Sequence, residues 1–219
     1  MNKCCIISAG DVNLTLLEKK KTEYCFFIAA DAGYEKAIEA NIIPDLVVGD
    51  FDSLSPALHS RLSAPTQADT PRFIQFPKDK DYSDTYLALE EGLKRHFDEF
   101  DIYGALGGDR FSHSLANIQT LCALKNKKVN ATIIGKNEIL YLLQNETLTL
   151  TLPPMTTFSV FSLSKESKGV TITGAKYNLE NATLTNDFPL GLSNKTIGEN
   201  TSITTGKGYL LVIIESSKN

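Results

Sequence analysis

The chain has 219 residues, 42% of them apolar and 22% charged, with a formal net charge of −4. That length allows one large domain or two small ones around a sizeable core. No basic excess points to a nucleic-acid surface, and no acidic tail or low-complexity stretch marks a disordered region.

The N-terminal MNKCCIISAG contains an apolar run too short for a signal peptide or a membrane span, so a cytoplasmic location with no membrane partner is expected. Cys4, Cys5, Cys25 and Cys122 form no C-x-x-C pair and have no histidine at metal-ligand spacing. They read as small buried thiols in a reducing compartment.

Six short runs rich in β-branched and aromatic residues follow one another: CCIISA, YCFFIAA, LVVG, FIQF, FDIYGA and ATIIG. Each predicts a strand. Two segments between them show helical spacing. In DTYLALEEGLKRHF (84–97), Tyr86, Leu89, Leu93 and Phe97 fall on one face. In SHSLANIQTLCALKNK (112–127), Leu115, Ile118 and Cys122 fall on one face, with Leu121 and Leu124 beside it. The alternation predicts an α/β N-terminal domain with a largely parallel sheet. From EILYLLQNETLTLTLPPMTTFSVFSL onward the chain is rich in Thr, Ser, Val and Ile, broken by Asn, Gly and Pro. That texture predicts an all-β, sandwich-like C-terminal domain. The boundary falls near GKNEI, giving domains over 1–136 and 137–219.

Ligands of a parallel open sheet bind at the carboxyl ends of its strands. There the sequence places Asp31 after YCFFIAA, and Asp50 and Asp52 after LVVG. Gly104, Gly107 and Gly108 follow FDIY, while KDYSD supplies Lys80, Asp81 and Asp84 at a helix start. GDFDS (49–53) taken alone admits a solvated turn, a nucleophilic aspartate or a metal clamp. Asp84 taken alone is a helix cap. Five carboxylates at one sheet edge exceed what capping uses, and hard oxygen donors in a crevice suit Mg²⁺, which binds through few carboxylates plus substrate phosphates. The chain has no P-loop and no G-x-G-x-x-G. If a nucleotide binds, its phosphates are left to metal, helped by Arg110, Lys80 and backbone N–H groups near Gly107 and Gly108. His113 reads either as a polar contact at a helix start or as a base.

DAG (31–33), PDLVVGDFDS (44–53), KDYSD (80–84), GALGGDRFSHSLANIQ (104–119) and GLSN (191–194), in that order, resemble the thiamine pyrophosphokinase family. The resemblance spans most of the chain. It implies an ATP- and Mg²⁺-binding α/β domain, a thiamine-binding β-sandwich and a homodimer with active sites at its interface. The implied reaction moves a pyrophosphoryl group from ATP to thiamine, giving thiamine diphosphate and AMP. The family's acidic cluster matches Asp31, Asp50, Asp52 and Asp84, with Asp81 beside them, and its arginine matches Arg110. Among these, Asp50, Asp52 and Asp84 are the expected metal ligands. Ser193 and Asn194 match its thiamine contact. GGDRFSH departs from the family's G-G-R-x-D-H, adding Asp109 and placing Ser112 where an aspartate is expected, so Ser112 and His113 are not carried over.

Two other enzyme classes share a D-x-D after a strand. A phosphohydrolase with an aspartyl nucleophile usually has Thr or Val where Leu54 stands, and an apolar residue where Gly49 precedes the first aspartate. A glycosyl transferase leaves the other ordered motifs unused. A thiamine or nucleotide sensor that does no chemistry has little need of five carboxylates.

Overall fold

Cys4, Cys5, Ile6 and Ile7 are all fully buried, which requires a strand covered on both faces. The computed structural model describes residues 2–51, 71–79, 81–198 and 200–215. In it the chain divides into two compact units, Met1–Lys136 and Asn137–Asn219.

The first unit contains strands β1 (Lys3–Ile7), β2 (Phe26–Ala30), β3 (Leu46–Gly49), β4 (Arg72–Gln75), β5 (Glu99–Tyr103) and β6 (Asn130–Ile134). Its α-helices among the described residues are α1 (Leu14–Lys20), α2 (Gly33–Glu39), α3 (Asp84–Lys94) and α4 (Phe111–Asn126). The strands pair in parallel in the order β6-β5-β1-β2-β3-β4. The chain runs outward from β1 to β4, then returns across β1 to β5 and β6. The reversal between β1 and β5 leaves a crevice at their carboxyl ends, the usual ligand position of such sheets. Beneath it, Lys3 Nζ meets the buried Asp101 carboxylate at 2.9 Å, and the Tyr24 hydroxyl donates to the same oxygen at 2.7 Å. These bonds fasten the start of β1 and the segment before β2 to β5.

Ser83 caps α3, its hydroxyl accepting from the Tyr86 N–H, and Asp84 stands in the first turn where the dipole favours a carboxylate. The helix stops at Lys94, short of Phe97. His96 takes φ +66°, its N–H reaching the Leu93 carbonyl at 2.9 Å, and the Phe97 N–H reaches the Gly92 carbonyl at 3.2 Å. This is a Schellman termination with histidine in the left-handed position that glycine usually fills. The expected apolar face is correspondingly shorter: Leu89 is buried, Tyr86 and Leu93 are half-buried, and Phe97 packs on Phe26 at 5.5 Å. In α4 the buried positions are Ser114, Asn117, Leu121 and Leu124. Leu115, expected inside, is 49% exposed.

The second unit is all strand: β7 (Glu138–Leu143), β8 (Glu146–Thr151), β9 (Thr157–Ser162), β10 (Glu166–Thr173), β11 (Leu179–Thr185), β12 (Gly191–Lys195), β13 (Asn200–Thr205) and β14 (Leu210–Glu215). They form two antiparallel layers, β12-β9-β14-β7 and β11-β10-β13-β8. One core joins Phe158, Val160 and Val212 of the first layer to Val170, Ile172 and Ile203 of the second, which makes the unit a sandwich. The α/β-then-β architecture expected from sequence is the one observed. Among the described residues no helix is long and apolar enough to cross a membrane.

Glu91 anchors the far end of α3. It is 6% exposed and meets Lys94 Nζ at 2.7 Å and Arg95 Nη1 at 2.6 Å. Burial pushes its pKa up, but the hydrogen bonds from Lys94 and Arg95 outweigh burial and hold the carboxyl below the usual glutamate range. A carboxyl more acidic folded than unfolded contributes fully above its unfolded value of about 4.3, and the contribution fades as pH falls through the folded value. Glu91→Gln is expected to cost about 1–2 kcal/mol near neutral pH, with parent and variant converging as pH falls below the folded value of Glu91. Urea unfolding at a series of pH values reads this; a gap that stays constant as pH falls contradicts it.

Candidate active site

The crevice between β1 and β5 opens into a cleft of about 330 Å³. Its floor is backbone. The Gly10 N–H donates to the Gly104 carbonyl at 2.9 Å and the Asp11 N–H to the Leu106 carbonyl at 2.9 Å. Gly104 has φ +66°, and a Cβ there would overlap the Ser8 carbonyl, so only glycine serves. The turn then passes Gly107 and Gly108 in left-handed conformations and reaches Arg110, the N-cap residue of α4. Arg110 makes no side-chain capping bond. The first-turn N–H groups of this 16-residue helix, the flanking glycines and the guanidinium thus gather donors of the kind that suit an anion, with Gly107, Gly108 and Arg110 all lining the cleft.

Carboxylates come from other walls of the same cleft. Asp31 follows β2 and Asp84 opens α3; both line the cleft, and Oδ1 of each is inaccessible to solvent. Asp31 sits at φ +48°, its N–H held by the Val48 carbonyl at 2.8 Å. Left-handed backbone at a residue other than glycine costs about 1–3 kcal/mol and persists where surrounding structure enforces it.

Two hydrogen bonds brace these walls. The Ser8 and Thr85 hydroxyls lie 2.8 Å apart, both buried, tying the end of β1 to the first turn of α3 beside Asp84. Asn117 Nδ2 donates to the Ala105 carbonyl at 2.8 Å, tying α4 to the glycine turn. Ser8, Thr85 and Asn117 line the cleft. Sequence reasoning passed over all three. The available signal was in α4, where Ser114 and Asn117 continue the line of Leu121 and Leu124 at helical spacing.

The cleft thus brings together Asp31, Asp84, Gly107, Gly108 and Arg110, with Asp109 and His113 also in its lining. It does not bring in every expected group. Asp50 is half-buried just past β3, next to the Asp31 turn but outside the cleft lining, and Asp81 is exposed. Asp52 and Lys80 lie outside the described residues. Among the described residues no three His, Cys, Asp or Glu side chains converge to hold a metal by themselves. The donor set still fits Mg²⁺: two hard carboxylates share the cleft, and this ion fills its remaining positions with water and phosphate oxygens.

Ser193 and Asn194 belong to β12 in the second unit. Pairing with β9 shifts between Gly191 and Asn194, and Ser193 takes φ +58° at this bulge with its side chain exposed. Asn194 is 6% exposed. Its amide donates to the Tyr177 carbonyl at 2.7 Å and accepts from the Tyr177 and Lys195 N–H groups at 3.1 and 2.8 Å. Asn194 therefore shapes the strand, while Ser193 faces outward.

The chain is similar to known proteins along both units. A family model described as the thiamin pyrophosphokinase catalytic domain matches residues 17–133, and one described as its vitamin B1 binding domain matches residues 143–210. A thiamine pyrophosphokinase of Bacillus subtilis is 28% identical over 210 residues, covering 95% of this chain and 96% of the relative. The crystal structure of a Bacillus subtilis thiamine pyrophosphokinase superposes with a TM-score of 0.84 at 26% identity, covering 99% of this chain and all (100%) of that one. One from Geobacillus thermodenitrificans gives 0.83 at 25% identity, covering 99% of each. With catalytic and vitamin-binding matches falling on separate units in the expected order, the chain belongs to the thiamin pyrophosphokinase family and is an enzyme of that activity.

Proposed function

We propose that the cleft of the N-terminal unit binds the triphosphate of ATP with Mg²⁺ and is where a pyrophosphoryl group passes to thiamine. One observation carries this reading: Asp31 and Asp84 share a single cleft with the Gly107–Gly108–Arg110 turn and the N-terminus of α4. Carboxylates on one wall and fixed donors on the other match a ligand that carries both a cation and phosphates.

Mg²⁺, when bound, offsets the charge of the triphosphate in a reaction that depends mainly on positioning and electrostatics. Asp84, with Asp50 and Asp52 of GDFDS, would hold it. Arg110 takes two phosphate oxygens with its planar fork, and the first-turn N–H groups of α4 take others. Lys80, next to the start of α3 in sequence, adds a second positive charge. The thiamine hydroxyl attacks the β-phosphorus and AMP departs. Asp31 lines the cleft and Asp81 does not, which favours Asp31 as acceptor of the alcohol proton. Ser193 contacts thiamine from the exposed bulge of β12, and Asn194 holds that bulge in shape. In this reading the enzyme works as a homodimer in the cytoplasm; its four cysteines are free thiols, which suits a reducing compartment.

With ATP and thiamine as substrates, nucleotide chromatography is expected to show AMP formed in step with thiamine diphosphate; ADP as the product would refute transfer from the β-phosphorus. Asp31→Asn and Asp84→Asn keep size and remove charge, and each is expected to lower kcat by about a hundredfold or more while far-ultraviolet circular dichroism stays unchanged. Arg110→Lys, which keeps charge but loses the fork, should raise the KM for ATP and lower kcat by about tenfold with the KM for thiamine little changed. Parent-like kinetics in these variants would remove the altered residue from the site.

A further inference from the structure

Phe51 separates the two aspartates of GDFDS. Its φ is +66°, a conformation bulky residues rarely take, yet its side chain is only 2% exposed. Its ring meets Phe73 edge-on, 5.9 Å between centroids at 83°, and Phe73 meets Tyr34 the same way, 5.9 Å at 84°. Phe51 and Tyr34 are buried with Ala29 and Val47 in one cluster, and the half-buried Phe73 packs against it. Tyr34 lies in the first turn of α2, and its N–H donates to the Asp31 carbonyl at 3.0 Å. Two acidic turns, after β2 and after β3, thus each pass through left-handed backbone, at Asp31 and at Phe51, and each is tied to the same rings. The turns also touch: a Cβ on Gly49 would lie 3.2 Å from Asp31 Cα. The β4 strand closes the second turn, with the Phe76 N–H on the Gly49 carbonyl at 2.9 Å and Gln75 Nε2 on the Asp50 carbonyl at 3.3 Å.

We propose that Phe51, Phe73 and Tyr34 are positioning residues, an aromatic clamp under the acidic turns that holds Asp31 and Asp50 in the orientation that pyrophosphoryl transfer requires. The ring of Phe51 is the anchor, because its burial enforces a backbone conformation that its own sterics resist. Phe73 transmits that anchor to the Asp31 turn through Tyr34. The proposal rests on the reading of Asp50 as a metal ligand and Asp31 as a proton acceptor. A core cluster with no further role would affect stability alone; a clamp also changes how the carboxylates meet the ion.

Phe51→Gly tests this, since glycine accepts the positive φ and only the ring is lost, while Phe51→Leu keeps apolar bulk in the cluster. Mn²⁺ binding in the presence of an unreactive ATP analogue is followed by electron paramagnetic resonance, well below each variant's unfolding midpoint. Phe51→Gly is expected to weaken Mn²⁺ binding by about tenfold and kcat by about a hundredfold, with the KM for thiamine changed less than about threefold. Phe51→Leu should recover most of both losses. A folded Phe51→Gly that binds Mn²⁺ and turns over within about twofold of the parent overturns the proposal. If Phe51→Gly does not fold, Phe73→Leu is read the same way, with about a fivefold loss expected and parent-like values overturning the clamp. Asp50→Asn runs alongside. If it binds Mn²⁺ like the parent, the metal assignment has failed and the clamp with it; if it loses Mn²⁺ while Phe51→Gly retains it, the clamp alone has failed.

Discussion

The cleft depends on how closely two backbone turns approach one another. At the ends of β1 and β5 the Ser8 N–H reaches the Tyr103 carbonyl at 2.8 Å, and the Gly10 and Asp11 N–H groups reach Gly104 and Leu106. A Cβ on either Gly10 or Gly104 would overlap a carbonyl across that seam, so both glycines make it possible. Once the seam is closed, the glycine turn can only lead away over the crevice, and Arg110 arrives at the head of α4 beside it. The acidic wall is set by the neighbouring parallel strands, whose register places Asp31 and the Asp50 turn side by side. Asp31 and Asp84 share one cleft with the glycine turn and Arg110 because the sheet order reverses between β1 and β5.

Much of this frame can be read from the sequence because strands buried on both faces must be apolar throughout. CCII, FFIAA and LVVG leave little doubt where each strand ends, and so Asp31 and the GDFDS turn can be placed at the right edge. The helices are harder. In α4 an apolar count selects Leu115, Ile118 and Cys122, yet the first two turns of this helix look onto a polar cleft and bury Ser114 and Asn117. Polarity there reflects the site, and a hydrophobic stripe is the wrong guide. Helices α1 and α2, of seven residues each, are too short for periodicity to declare them. The ends of α3 and α4 are hidden for a different reason: His96 and Lys128 occupy the left-handed positions where glycine is the usual signal.

Motif matching carries residues in groups, and geometry then separates them. Ser193 and Asn194 are neighbours in the GLSN string, but neighbours in a strand point to opposite faces, and the bulge at Ser193 sharpens the division. One side chain is exposed; the other is spent on the backbone of Tyr177 and Lys195. Asp31 and Asp81 separate similarly, because one follows a buried strand and the other precedes the cap of α3 in an exposed loop.

The central place of β1 also governs the order in which the chain can fold. This first strand can pair with β2 soon after it is made, but its other edge must wait for β5, about a hundred residues later. Until then an apolar strand lies open along one side, an edge of the kind that recruits unwanted partners. The seam, the glycine turn and the head of α4 all depend on that late pairing. The cleft is therefore among the last features of the N-terminal unit to exist, and the newly made protein cannot bring Arg110 and the acidic turns together until β5 has docked.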